Sequence, residues 1–353
     1  MPGVGSKETD NGPDPTTPAG PHRLYNTRTK FDIEGNVLTI TDARGVQVIL
    51  QRFDVVQRRL RIDSPDAGAR LAVADIAGKP LRAWDSRGQT LRSQYDALQR
   101  PTHVFVKQGA TERHLLRTVF GEALDPPGVV PIPTSPAQTA NLRGKPYLAF
   151  DCAGLVTADS FDFKGNLLSG SRRLAVDYIS EPNWTAAENL TTPSAVLAAV
   201  SSLLEAEVFS TSSTYDALNR VITHTTPDGS TTVPKYNEAN LLNALFASVR
   251  GAAEQPVITN IDYNARGQRT TCEYANGTAT TYDYDPKTFR LTRLLTLSGA
   301  TKLQWLVYTF DPVGNIVALR DQSDTGPIFS GTAPINGDGL YVNRPGNPGG
   351  SFS

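Results

Sequence analysis

At 353 residues the chain is long enough for two ordinary domains or for one extended repeat array, and either could bury a sizeable apolar core. Its 34 Lys and Arg balance 35 Asp and Glu to a formal net charge of -1, so no basic field draws nucleic acid or an anionic membrane, and neither is an expected partner. Two cysteines, Cys152 and Cys272, exclude the dense disulfide framework of a small secreted domain and any CxxC metal knuckle; they could pair or stay thiols.

The first 22 residues, rich in Pro, Gly, Thr and Asp and including His22, are expected to be a disordered N-terminal tail. No apolar h-region is seen there, and no run approaches the ~20 apolar residues of a membrane-spanning helix. The compartment is left open, export by a non-conventional route included. Three sequons, at Asn183, Asn189 and Asn276, would matter only inside a secretory pathway.

From residue 23 to residue 322 one phrase recurs: an aromatic or other strand residue, Asp or Asn, two variable residues, then Gly or Asn. It reads Phe31-Asp32 to Gly35, Trp84-Asp85 to Gly88, Phe150-Asp151 to Gly154, Phe161-Asp162 to Gly165, Tyr263-Asn264 to Gly267 and Phe310-Asp311 to Gly314. Tyr215-Asp216 to Asn219 and Tyr236-Asn237 to Asn240 end in Asn, and Tyr95-Asp96 to Gln99 is a weaker copy. Asp42 to Gly45 and Asp75 to Gly78 keep the turn but lose the aromatic.

An Asp or Asn opening the phrase can bond the backbone two residues on, and the next two positions suit a type I turn. The fourth position then needs a positive φ, which Gly takes freely and Asn tolerates, giving a three-residue hairpin loop with a G1 bulge. Each phrase therefore predicts one hairpin tip, and stretches such as Val37 to Thr41 and Val221 to Thr225 supply β-branched strands on either side. The aromatics are expected to pack as a ladder inside the stacked hairpins.

Two segments break the pattern. Asp125 to Asn141 is loaded with Pro and reads as a long irregular crossing loop. Thr192 and Pro193 suit an N-cap and first helical position for a short inserted helix over about 194–209, with Val196, Leu197, Val200, Leu203 and Leu204 on one apolar face. Residues 323–353 form a Gly- and Pro-rich C-terminal tail.

No GxSxG phrase, HExxH helix or Walker loop is present, and His103, His114 and His224 fall in strand-like segments where ordinary strand positions are expected. Turn aspartates recurring at a repeat spacing do not make the carboxylate pair of a glycosidase. No catalytic residue, cofactor or metal ligand is assigned.

The ordered set Tyr95-Asp96-Ala97-Leu98, Arg117 to Glu122, Asn141 to Lys145, Phe161 to Asn166, Tyr215 to Arg220, Ile261 to Arg269 and Tyr282 to Pro286 resembles the YD-repeat (RHS) family, and within it the C subunits of insecticidal toxin complexes. The resemblance implies an all-β hairpin array winding into a spiral sheet, part of a cocoon shell, that encloses a toxin polypeptide together with a B-subunit-like partner. The family's autoprotease ends near a DPxGL-type phrase. Here Asp311-Pro312-Val313-Gly314 sits inside an ordinary repeat, and the chain is expected to stop short of core, protease and toxin. YD-repeat cell-surface proteins offer a second reading, an adhesion or carbohydrate-binding module.

Overall fold

The computed structural model describes residues 3–13, 22–125 and 135–323. Among them lie 23 strands, and the two α-helices are only Pro136–Thr139 and Pro193–Val200. Strands adjacent in sequence pair antiparallel, from Val4–Pro13 with His22–Phe31 onward. The all-β expectation therefore holds, as an open sheet of successive hairpins.

The chain divides into two compact units, residues 1–165 with 170–209, and residues 166–169 with 210–353. In the first, the strands from Val4–Pro13 to Gly154–Phe161 follow one another as a meander. In the second, the strands from Ser212 to Asp321 do the same.

A lone sheet leaves both faces wet, and most of its residues are only half-buried. Strand Phe209–Tyr215 alternates half-buried and exposed along its whole length, the period-two signature of side chains pointing to opposite faces. The principal apolar core belongs to the first unit, where a segment between strands covers one patch of sheet. Leu148, Phe150 and Leu155 of the sheet meet Trp184, Ala187, Val196, Val200 and Leu204 of that segment, and Leu148, Trp184, Val196 and Val200 are wholly buried. The second unit has a thinner row, Ala244, Ile261 and Cys272 with the polar Thr280, whose hydroxyl meets that of Thr296 at 2.9 Å.

Three expectations need correction. The predicted tail contains strand Val4–Pro13, which pairs in register from Val4 opposite Lys30 to Asp10 opposite Leu24. Ser6-Lys7-Glu8-Thr9 carries no apolar signal; the neighbouring strand's free backbone groups template the pairing. Gly5 adds to it, since a Cβ there would stand 3.2 Å from the Phe31 ring. Residues 1–2 and 14–21 of that tail lie outside the described residues, as do 324–353 of the C-terminal tail.

The inserted helix is shorter than 194–209. It runs Pro193–Val200, tightens to a 3-10 turn at Ser201–Leu203, and gives way to strand at Phe209. Ser201 bonds its hydroxyl back to the Ala198 carbonyl, and Leu203 and Glu205 are captured by sheet hydrogen bonds with Val176 and Leu174. Serine competes for the backbone at just the point where the sheet offers an alternative.

The crossing from Asp125 to Asn141 is not wholly irregular. Pro136–Thr139 makes one helical turn, capped by the Ser135 hydroxyl on the Gln138 amide, while 126–134 lie outside the described residues. The Asp125 carboxylate orders this turn by accepting from Ser135 and from the Ala137 amide.

Candidate functional site: tied hairpin tips and a capped patch of sheet

In an antiparallel meander successive tips alternate between two rims. Within the first unit, tips at Asp32–Gly35, Asp54–Gln57, Asp75–Gly78 and Asp96–Gln99 share one rim. Within the second, Asp216–Asn219, Asn237–Asn240, Asn264–Gly267, Asp285–Phe289 and Asp311–Gly314 share one.

The Asp32 tip shows the geometry. Gly35, at φ +90°, donates its N–H to the Asp32 carbonyl, and Asp32 N–H donates to the Asn36 carbonyl at 2.9 Å. The Asp32 carboxylate accepts from the Glu34 and Asn36 amides at 2.9 and 2.8 Å. Gly88 (φ 76°), Gln99 (φ 62°), Gly165 (φ 96°), Asn219 (φ 64°), Gly267 (φ 75°) and Gly314 (φ 108°) occupy the same place behind Asp85, Asp96, Asp162, Asp216, Asn264 and Asp311. The carboxylates of Asp32, Asp96, Asp216 and Asp311 stay ionised below the usual range. Asp32 is held down first by the Asn36 side-chain amide and Asp311 first by that of Asn315, then by turn amides against an opposing desolvation.

One predicted tip is built differently. Asp151 pairs directly with Gly154, so the loop is the two residues Cys152-Ala153, with no G1 bulge. Gly154 has φ +131°, and a Cβ there would stand 2.2 Å from the Arg173 carbonyl oxygen. Close approach of another backbone, as well as turn conformation, demands this glycine.

On these two rims sequence reasoning passed over two tips. Phe53-Asp54 to Gln57 makes the same turn with Gln57 at φ 64°, and Asp285 to Phe289 makes a loop one residue longer, closed by the Phe289 N–H on the Asp285 carbonyl, with Phe289 at φ 59°. The readable signal at the first was Arg58, the position after the left-handed residue. That position ties one tip to the next on the same rim.

Arg220 shows the tie. Its Nε bonds Asp216 of its own turn at 2.7 Å, its guanidinium lies 4.5 Å from the Tyr236 ring centroid, and NH1 reaches Asn240 Oδ1 at 2.5 Å. Arg58 reaches the Asp75 carbonyl, Lys79 that of Gln99, Gln268 that of Phe289 and Arg290 that of Asp311. Arg100 stacks 3.9 Å over Phe120, and Lys145 lies 3.8 Å over Phe161.

The tyrosines tie backwards. Tyr95 hydroxyl donates to the Pro80 carbonyl, Tyr236 to Val221, Tyr263 to Leu242 and Tyr284 to Arg269, at 2.7 to 3.0 Å. Each acceptor is the second residue past the preceding tip on that rim. Tyr95, Phe161, Tyr236 and Phe310 are thus half-buried rim residues under cations, whereas Phe150 is buried in the core with its ring 5.1 Å from that of Trp184.

The second feature is the capped patch. Strands Pro101–Gln108 and Thr111–Phe120 place His114 opposite Phe105 and Arg117 opposite His103. Phe105 and His114 stack at 4.4 Å, His114 and His103 at 4.9 Å, and the Arg92 guanidinium lies 3.8 Å over Phe105. The covering segment is pinned by Asn183, whose Oδ1 accepts the His114 amide, and by Trp184, whose indole donates to the Asp151 carbonyl. Arg117, 5% exposed, donates to the Glu188 and Leu190 carbonyls. Sequence analysis had left His103 and His114 as ordinary strand residues, since cross-strand register is not visible in a sequence.

Cys152 is exposed and Cys272 buried, and both are free thiols. Desolvation, and then the Glu181 and Asp151 charges, push the Cys152 thiol up. Among the described residues no cluster of His, Cys, Asp or Glu could hold a metal ion, and no helix is long and apolar enough to cross a membrane.

A sheet of hairpins tied tip to tip by YD phrases is similar, in fold and in sequence, to RHS-type shell proteins of toxin complexes. No family profile matches. The chain is similar to the Yersinia entomophaga toxin subunit YenC2, 30% identical over 315 residues that cover 84% of this chain and 32% of the relative. With toxin subunit YenC1 of the same organism it is 28% identical over 274 residues, 75% of this chain and 26% of that one. It therefore spans about a quarter to a third of these curated relatives. Its fold matches the TcdB2-TccC3 crystal structure with TM-score 0.77 and 27% identity, over 89% of this chain and 15% of that one. The Photorhabdus luminescens Tc holotoxin pore matches with TM-score 0.77 and 27% identity, over 89% and 14%.

Proposed function

We propose that the chain is a non-enzymatic shell segment of a toxin-complex C-like protein, which encloses or scaffolds a toxin polypeptide together with a B-subunit-like partner. The repeat array from 23 to 322 forms the wall in this reading, with the turn residues Asp32 to Gly314 as its structural joints and 323–353 as a tail. The observation that carries it is the use made of the polar side chains. Asp, Tyr and the following Arg or Lys of the repeats are bonded to their own or a neighbouring tip, as Asp216, Tyr236 and Arg220 illustrate, which suits a wall more than a reaction centre. A repeat array is stabilised by such nearest-neighbour contacts.

The outermost described strand, Ile316–Asp321, pairs with Thr301–Phe310 on one side only among the described residues, and an open strand edge recruits further strands. Co-expression with a toxin-complex B subunit tests the reading. A stable complex that shields a fused polypeptide from added protease supports it; no complex, together with specific glycan binding by the chain alone, would favour the adhesion reading instead.

A further inference from the structure

The balanced total charge hides an uneven sheet. Residues opposite one another in an antiparallel pair share a face, as do residues two apart along a strand. In the first unit Arg52 stands opposite Arg61 and Arg82 opposite Arg92, two like-charged pairs. The register puts both on one face, since Leu71 lies opposite Arg61 and Trp84, and Val73, two residues from Leu71, lies opposite Arg82. Arg59, two residues from Arg61, joins them, as does Lys107, which lies opposite Thr90 in the row of Trp84.

Opposite charge is scarce there. Arg61 holds Asp63 at 2.7 and 2.9 Å, and Arg92 holds Glu112 at 2.9 and 3.3 Å, so two carboxylates meet six cations. Arg52 acts on Asp63, and Arg82 and Lys107 on Glu112, only through space. Arg52, Arg59, Arg82 and Lys107 are exposed, and among the described residues none of the four forms an ion pair. Like charges set directly opposite one another destabilise a sheet, so these pairs weaken the isolated fold. Between them the floor is apolar: Leu71 is 38% and Val73 43% exposed, beside the half-buried Trp84.

We propose that this face, over strands Gln47–Phe53 to Gln89–Tyr95, docks an acidic polypeptide segment of another chain, its carboxylates on the arginines and its apolar side chains on Leu71, Val73 and Trp84.

The chain itself shows how the face takes polypeptide. Arg92 lies opposite Phe105 and Phe105 opposite His114, so the basic face runs on into the patch beneath the covering segment, residues 176–208. There Arg117 donates to the Glu188 and Leu190 carbonyls, and Trp184 packs against Phe150, which lies opposite Arg117. The uncovered strands repeat that mixture of guanidinium and apolar floor with more charge, which calls for carboxylates where the covering segment offers carbonyls. A phosphate backbone has no apolar group to lay on Leu71 and Val73, and a flat membrane would meet the covering segment on the same face. This holds for the first unit whether or not the chain lines a shell.

Fluorescence anisotropy on the full chain, with a short labelled peptide of glutamate and leucine, tests the docking face. Binding should weaken as salt rises, and the lysine-for-glutamate peptide should not bind. Arg52→Gln combined with Arg82→Gln should weaken binding about threefold to tenfold, and should leave the melting temperature unchanged or higher, because each change relieves a like-charged pair. Arg70→Gln combined with Arg87→Gln takes the same charge from the opposite face and from a hairpin tip, and should leave binding unchanged. No binding of the acidic peptide, equal binding of the lysine peptide, equal losses in the two double variants, or a lower melting temperature for the Arg52 and Arg82 variant would overturn the proposal. Tighter binding of a single-stranded oligonucleotide or of phosphatidylserine vesicles than of the acidic peptide would overturn it in favour of a phosphate ligand.

Discussion

Gly154→Ala is expected to be the costliest single change at any predicted turn, and its magnitude follows from two separable effects. A side chain at φ +131° is strained whatever the space around it, at about 1–2 kcal/mol. The new Cβ would also stand 2.2 Å from the Arg173 carbonyl oxygen and 2.9 Å from the Ala175 nitrogen, and these are backbone atoms that cannot swing aside. Making room means loosening the Ala175 N–H bond to the Ala153 carbonyl, next to Leu155 and Phe150 of the core. Overpacking of this kind costs a further ~1–3 kcal/mol, so the total is roughly 2–5 kcal/mol. Gly35→Ala is the control, because its Cβ would enter open space and only the strain at φ +90° remains. Asn219→Gly, at φ 64°, should be nearly neutral, since asparagine already tolerates that region and glycine enters it freely. Urea titrations followed by tryptophan emission, with amide exchange at Ala175, would order the three variants. If Gly154→Ala costs no more than Gly35→Ala, the close-approach argument fails.

Tyr236→Phe keeps the ring under Arg220 but loses the hydroxyl bond to the Val221 carbonyl, and should cost about 1 kcal/mol, read as faster amide exchange around Val221. Trp184→Ala should cost about 3–5 kcal/mol, because a wholly buried indole anchors the covering segment; exchange should rise across 176–208 far more than in strands Arg269–Tyr274 and Thr278–Tyr284. The Asp311 carboxylate accepts from Gly314, Asn315 and the Asn315 side chain, so the purified chain should keep its mass on incubation, and Asp311→Asn should leave that result unchanged. Specific cleavage abolished by Asp311→Asn would overturn the reading of this phrase as a hairpin tip.

What the sequence determined by itself is local: turns, strands and their alternation. An Asp, two turn-compatible residues and a residue able to take positive φ specify a hairpin within five positions, which is why the tips at Asp32, Asp216 and Asp311 were legible. The same locality hid the tip at Asp54, where Gln57 stands in a place better filled by Gly or Asn. It also misassigned the loop after Asp151, where pairing with Gly154 and the approach of Arg173 select a two-residue turn. Strand Val4–Pro13 has no apolar alternation and forms by adding to a neighbour's backbone, a cause its own residues do not carry.

Tertiary structure alone decided what the side chains at those tips do. The Arg220 tie to Asn240 and the Tyr236 bond to Val221 connect positions 20 and 15 residues apart, which two strand spacings bring together on one rim. The stack of Phe105, His114 and His103, and the Arg117 contact beneath the covering segment, arise from cross-strand register and from a helix packed on the sheet. Register is fixed by the whole set of pairings at once, so a residue's partner, its burial and hence its proton affinity become properties of the fold rather than of the sequence around it.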